Sequence, residues 1–303
     1  QRMGKHVQTG LVAGASVSAY NEGLIKKHEL TRPDKEDDRV NHINALGVQV
    51  GPVFLTYHAD REIDRMIDEI CKAIPEYDFT CDDKIAHTAW VVSDQERIDG
   101  ISAAFQKLPH LYVADGHHRS AAASRIKCKR FLTVTFPHDQ MQILDYNRVV
   151  KDLNGLSVSE FLERVAAAFE ISQEPAAVSP SRSGEFGMYV ADSWYRLTIH
   201  ADLVSDDPVA RLDVSLLADN LLQPQLGISD PRTDPRIDFV GGIRGLAELE
   251  KRVDSGEMAL AFSMFPTSME DLMAVADANQ VMPPKSTWFE PKLADGLVSH
   301  LLD

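Results

Sequence analysis

Cysteine is scarce in this chain. There are three in 303 residues, Cys71, Cys81 and Cys128, and none lies in a Cys-x-x-Cys pair. A disulfide framework and a thiolate metal ribbon are both excluded by that count and spacing, and a reducing, cytoplasmic location is the expectation. Long apolar runs are missing too: none approaches the roughly 18 residues of a membrane span, and the start carries no apolar signal-peptide core. The first methionine is Met3, so further residues upstream are expected. Basic charge is in deficit, 31 Lys plus Arg against 46 Asp plus Glu, for a net charge of −15. A phosphate backbone needs a basic face, so no nucleic-acid partner is expected, and no membrane partner either. What remains is ordinary globular material, 44% apolar and 25% charged. Its expected partners are small molecules, and its oligomeric state is open.

Short apolar runs alternate with helical patterns. Strands are expected at Thr9–Val12, Ala15–Val17, Gly51–Tyr57, Ala86–Val92, Leu111–Ala114 and Phe131–Phe136. Helical pattern covers Ser18–Asn44, with Pro33 as a break or as the first residue of a second helix. It also covers Arg61–Ile74, where Ile63, Met66, Ile67 and Ile70 share one face, Asp94–Leu108 with Ser93 as cap and Glu96 as capping-box partner, and Ser120–Lys127. Strands alternating with helices predict an α/β fold of mixed α+β character. The texture changes near residue 140, so residues 1–140 and 141–303 are expected to form two domains. In the second, Ser157–Phe169, Asp213–Leu222 and Ser268–Ala278 read as helices, and Met188–Ile199 as a hairpin turning at Asp192–Ser193.

Four segments could carry chemistry. In Leu111–Ala123 a strand runs into Asp115-Gly116-His117-His118-Arg119 and then an Ala-rich helix. Such a turn presents free N–H groups and positive dipole character to a phosphate or carboxylate. Asp115 could hold a metal ion or an ammonium group, or simply cap the helix, and Arg125, Lys127, Lys129 and Arg130 make the stretch basic. In Ile25–Arg39 a dense charge run reads as a solvated helical face. Within it, His28-Glu29 sets a carboxylate beside basic groups, available as a general base. Pro283-Pro284-Lys285-Ser286-Thr287 is a stiffened loop offering a point charge and hydroxyls to phosphate, or a strap held by Trp288 and Phe289. It lacks the Gly-x-x-x-x-Gly-Lys frame of a Walker loop. Gly241-Gly242 before Arg244 permits close backbone approach to a ligand, or merely a tight turn. No Gly-x-Ser-x-Gly elbow is present.

Asp-Gly-His-His-Arg between a strand and an Ala-rich helix resembles the phosphate-binding motif of the ParB/sulfiredoxin superfamily. Together with the upstream His28-Glu29 and the late Pro284-Lys285-Ser286-Thr287, in that order, it resembles the free serine kinases. The whole chain also resembles a large bacterial family labelled as a domain of unknown function. The recurring segments of that family match Tyr146–Gly155, Asp238–Gly242 and Met282–Leu293, and its members usually extend further upstream. The chain departs from a sulfiredoxin in having His117 where the reactive cysteine would stand, and from a ParB partition protein in lacking a basic helix-turn-helix pair.

The resemblance implies a ParB/sulfiredoxin-like nucleotide-binding domain followed by a second α+β domain that lends its Pro-Lys-Ser-Thr loop to the site. It implies a nucleotide-dependent kinase for free L-serine or a similar small hydroxy compound. Glu29 would be the general base, with Asp115 and His117 as further catalytic residues. Gly116, His118, Arg119, Lys285, Ser286 and Thr287 would bind phosphate, and His28, Gly241, Gly242 and Arg244 are further candidates. Mg²⁺, held at Asp115, and ADP or ATP as donor are the implied cofactors. A nucleotide-binding regulatory module without phosphotransfer, or phosphoserine consumption in reverse, fits the same residues.

Overall fold

The apolar runs of the first half pair into one mixed sheet of five strands. Along the chain these are β1 Leu11–Ser16, β2 Ile25–Lys26, β3 Val53–Tyr57, β4 Leu111–Asp115 and β5 Arg130–Pro137, arranged β1-β5-β3-β4-β2. In this computed structural model, which describes residues 1–302, Gln1–Gln142 and the described residues from Phe289 onward form one unit, and Ile143–Trp288 a second. Both units are mixed α/β.

β5 runs parallel to β3 and antiparallel to β1, β3 is antiparallel to β4, and β2 is parallel to β4. The last pairing decides where chemistry can happen. Lys26 stands opposite Tyr112, so His28-Glu29 and Asp115-Gly116 leave the sheet side by side at the C-terminal ends of neighbouring parallel strands. In open sheets that is where ligands bind. The helices of this unit are α1 Val17–Asn21, α2 Pro33–Leu46, α3 Arg61–Cys71, α4 Gln95–Gln106 and α5 His117–Arg125. α5 lies close on the sheet because its inner face is small: Ser120, Ala122 and Ala123 are fully buried. Ala123 joins Val17, Tyr20, Ile25, Val53, Leu55, Val113 and Phe131 in one core.

The helix expected over residues 18–44 is broken. α1 stops at Asn21, Ile25–Lys26 is a strand, and α2 begins at Pro33 in the first helical position. Pairing of Ile25 and Lys26 with β4 overrides the helical pattern there, and Pro33 fixes the restart. α4 is capped by Asp94, whose carboxylate accepts from Arg97 N, in place of the expected Ser93. Ala86–Ala89 pairs with Tyr77–Thr80 in a small separate sheet with the hairpin of Arg2–Val7.

The second unit is built on an antiparallel sheet of six strands, in the order Phe169–Glu174, Ser193–Ile199, Glu185–Val190, Leu260–Met264, Tyr146–Val150, Ile237–Gly241. The hairpin turns at Ala191–Asp192, both left-handed with φ of 48° and 58°, one residue earlier than expected. Two left-handed residues match the twist of the flanking strands. The tail expected in the second domain returns to the first unit from Phe289 onward. Phe289 packs on Phe54 with ring centroids 5.5 Å apart, Glu290 N donates to Gln142 O at 3.1 Å, and Gly296 N donates to Val50 O at 2.8 Å. No helix among the described residues is long and apolar enough to cross a membrane.

Because α5 has no spare room against the sheet, Ala123→Leu should destabilise the chain by roughly 1–3 kcal/mol through overpacking. Urea unfolding followed by circular dichroism measures this, and the exposed neighbour Lys127→Leu should change stability by less than about 0.5 kcal/mol.

Candidate functional site

β4 ends at Asp115, and Gly116 takes a left-handed φ of 97° that turns the chain straight into α5. Only glycine adopts that conformation without strain. The helix cap is Gly116 rather than Asp115, and no side chain caps α5. Asp115 Oδ1 instead accepts from the N–H of Gly116 at 2.8 Å. Arg119 N bonds back to Gly116 O at 2.9 Å. The N–H groups of His117 and His118, in the first turn, have no hydrogen-bond partner among the described residues, as helix geometry requires of a first turn without a cap.

Two imidazoles are sunk beside this turn. His28 and His117 are each 3% exposed and meet edge to face with centroids 4.5 Å apart. Burial pushes the His28 pKa down to about 4, against the opposing pull of Asp115 and a hydrogen bond with the Val113 backbone. Burial, followed by the neighbouring His28, His118 and Lys27, holds His117 well below the usual histidine range. Both rings are therefore neutral at pH 7, and His117 brings no positive charge to a phosphate. His28 Nδ1 and His117 Nε2 are buried with no hydrogen-bond partner among the described residues. On its other side His117 faces Glu29: Nδ1 lies 3.5 Å from Glu29 Oε2, a contact that a small shift would turn into a hydrogen bond. Glu29 is 55% exposed, so it is the solvent-facing member of the pair.

His118 points its chemistry elsewhere. Its Nε2 accepts from Arg32 N at 3.1 Å, where α2 begins, so its ring anchors that helix and only its backbone N–H faces an anion. Arg119 folds back over the turn: a methyl group added to Gly116 would meet its guanidinium at 3.0–3.3 Å, and Nη1 lies 3.5 Å from Asp295 Oδ1. A small cavity of about 40 Å³ opens beside this guanidinium, lined also by Gly51, Asp295 and His42. It has room for a water or two and not for a nucleoside. The expected gathering of basic residues from Arg119 to Arg130 does not surround the turn. Arg125 sits about 12 Å further along the helix, where it pairs with Glu36 at 3.2 Å and Asp37 at 2.6 Å and ties α5 to α2.

Both Asp115 carboxylate oxygens have neighbours in this structure. One oxygen takes the Gly116 N–H, and the other lies 3.5 Å from Lys292 Nζ on the returning tail. Among the described residues no group of three or more His, Cys, Asp or Glu side chains is arranged to hold a metal ion. Mg²⁺ is commonly held by one or two carboxylates plus substrate phosphates, so an ion at Asp115 would take most of its ligands from a bound phosphate and water. Sequence reasoning missed Lys292 and Asp295 at this turn, and also Lys27, whose ammonium stands 4.4 Å over the Tyr20 ring. The only local sign was that Lys292 falls in the recurring segment Met282–Leu293.

The remaining expected residues belong to the second unit. Ser286 is buried and donates from Oγ to Pro283 O at 2.6 Å, so its hydroxyl is already used within the loop. Lys285 is exposed with a left-handed φ of 59°, and its ammonium lies 5.5 Å from the centre of the Tyr146 ring. Arg148 Nη2 donates to Lys285 O at 3.1 Å and Thr267 Oγ1 to Ser286 O at 2.8 Å, so the loop is tied down. Thr287 is half-buried. Gly241 and Gly242 make room for the Trp288 ring and for Asp145, not for a ligand, and Gly242 N donates to Asp145 O at 2.7 Å. Arg244 is exposed on the short 3₁₀ turn that follows.

Residues 1–215 match the family described as a protein of unknown function, DUF1015. The chain belongs to that family. No curated protein sequence matches it. Among solved structures, SbnI from Staphylococcus aureus, with a C-terminal truncation, is 12% identical with a TM-score of 0.51, covering 94% of this chain and 85% of that one. A free serine kinase variant in complex with AMP is 14% identical with a TM-score of 0.49, covering 98% and 93%. A conserved hypothetical protein from Pyrococcus furiosus is 15% identical with a TM-score of 0.43, covering 96% and 94%. At such identities the likeness to SbnI speaks to fold alone, and the two weaker ones carry no weight.

The buried imidazoles make stability depend on pH with a definite sign. An unfolded His28 takes up a proton near pH 6.5, whereas the folded one refuses it until about pH 4. Its contribution is present in full above pH 6.5 and is lost as pH falls from 6.5 toward 4, on the order of 3 kcal/mol in all. His117 acts in the same direction. Urea unfolding between pH 7 and pH 4 should show stability falling with acid, and His28→Gln should have the shallower slope.

Proposed function

We propose that the first unit of this protein carries a nucleotide-dependent phosphotransferase site acting on free L-serine or a similar small hydroxy compound. The observation that carries the reading is the contact between Glu29 Oε2 and His117 Nδ1, 3.5 Å apart, at the first turn of α5. It sets an exposed carboxylate against the start of a helix whose first N–H groups are open. A phosphoryl transfer needs those two things together, a base for the acceptor hydroxyl and donors for the charge on the transferred group. The order of the motifs, His28-Glu29 and then Asp115–Arg119, adds support through its resemblance to the free serine kinases and the ParB/sulfiredoxin superfamily.

In this reading Glu29 takes the proton as the acceptor oxygen forms its bond to phosphorus, and the bond from phosphorus to the nucleotide oxygen breaks. The N–H groups of His117 and His118 and the Arg119 guanidinium hold the phosphate oxygens. His117, neutral and fixed by burial, orients Glu29. Asp115 fixes the turn through its bond from Gly116 N. ADP or ATP serves as donor.

Purified protein incubated with serine, Mg²⁺ and either nucleotide should form phosphoserine, detected by mass spectrometry. Glu29→Gln should lower turnover by about 10²–10⁴, the usual contribution of a general base, while nucleotide binding stays within a few-fold. Absence of any phosphorylated product across small alcohol acceptors overturns the reading. Nucleotide binding without acceptor dependence would identify a regulatory module instead.

A further inference from the structure

The returning tail reaches the α5 turn with charged side chains of both signs. Lys292 Nζ lies 3.5 Å from Asp115 Oδ2, and Asp295 Oδ1 lies 3.5 Å from Arg119 Nη1. Neither pair holds the tail in place. Lys292 and Asp115 are 49% and 42% exposed, and ion pairs so wet are worth about 0–1 kcal/mol. The backbone does the holding: Gln1 Nε2 donates to Lys292 O at 3.0 Å, Gly296 N to Val50 O and Glu290 N to Gln142 O. The tail backbone thus places a half-exposed ammonium beside Asp115 at the mouth of the turn.

What it is delivered to has the marks of an anion site. The first-turn N–H groups of a nine-residue helix are open. His117 at that turn is buried with Nε2 unpartnered among the described residues, and so is His28 with Nδ1. Both rings are neutral, so charge for a polyphosphate must come from elsewhere. Arg119 supplies one cation. The side of the turn opened by Asp115 has Lys292.

We propose that Lys292 is a phosphate-binding residue of this site, the cation that stands at Asp115 where a divalent metal was expected. The ligand class is a nucleoside polyphosphate or its pyrophosphate core, and the inference rests on the phosphotransferase reading. On binding, the ammonium swings from the Asp115 carboxylate to a phosphate oxygen. Asp115 keeps its bond from Gly116 N, so the turn does not collapse.

Isothermal titration of the full chain with inorganic pyrophosphate, and separately with ADP, at low salt tests this. Lys292→Met should weaken both by about tenfold or more, equivalent to about 1.4 kcal/mol. Lys292→Arg should recover most of the affinity. Lys72→Met, which makes the same change in net charge at an exposed position just past α3, should bind as the unchanged protein does. Lys292→Gln, isosteric enough to leave the tail seated, repeats the loss if Lys292→Met unfolds. Unchanged affinity in Lys292→Met or Lys292→Gln overturns the role of Lys292 and leaves the phosphotransferase reading standing. Failure of the unchanged protein to bind either probe overturns both.

Discussion

Two neutral imidazoles pressed edge to face, at the ends of parallel strands β2 and β4, set the terms for everything around them. Each leaves one nitrogen buried without a partner among the described residues. An unsatisfied buried polar atom costs about 1–3 kcal/mol, so a fold that keeps two of them must offset the cost. It does so in the core directly beneath, where Ile25 and Val113, from the same two strands, are almost fully buried with Leu55, Ala123 and Phe131. The rings cannot escape to water because β2, β4 and α5, which place them, are pinned by that core. The site is thus buried at its two rings and open to solvent at Glu29 and Lys292, 55% and 49% exposed.

The charge arrangement follows from the same burial. A chain of net charge −15 would hold anions poorly on average, and the three consecutive residues His117, His118 and Arg119 look at first like a positive cluster. Arg119 is the permanent charge among them. His117 is held neutral, and the His118 ring is occupied by the Arg32 N–H. Positive character at the turn therefore comes from helix N–H dipoles, one guanidinium, and two lysines that are distant in sequence or on another element, Lys292 and Lys27. The basic residues at the far end of α5 serve a structural purpose, with Arg125 bound to Glu36 and Asp37. Local charge density along a sequence is a poor guide here because a helix separates its two ends by many ångströms.

The strand-turn-helix at Leu111–Arg125 was legible in the sequence because an apolar run, a glycine and an alanine-rich segment each select one local conformation. So was the restart at Pro33, where the fixed φ of proline acts locally. The strand Ile25–Lys26 was not, since two residues have no periodicity and are strands only because β4 lies beside them. The return of the tail from Phe289 to the first unit is illegible locally for a related reason. Its partners, Phe54, Gln142 and Val50, are far away in sequence, and the link is made by packing and backbone bonds rather than by any local pattern. Ser286 read as a phosphate donor because a hydroxyl beside a lysine is ambiguous until its bond to Pro283 O is seen. Lys292 carries one local sign, its place in the segment Met282–Leu293, which assigns it no role; its place at the turn comes from Asp115, 177 positions earlier.

Why bury a histidine against the carboxylate that would act as base? A protonated imidazole 3.5 Å from Glu29 would stabilise the carboxylate anion and oppose its taking a proton from substrate. Keeping His117 out of water keeps the charge off it, so the ring steers Glu29 without competing for its electrons. Exposure divides the labour in the same direction. Glu29, 55% exposed, can meet a substrate arriving from solvent, and His117, at 3%, cannot. A solvated histidine at this position would titrate near neutral pH and switch the carboxylate between two electrostatic states. Burial removes that switch and confines it to acid, below the range in which the fold itself is most stable.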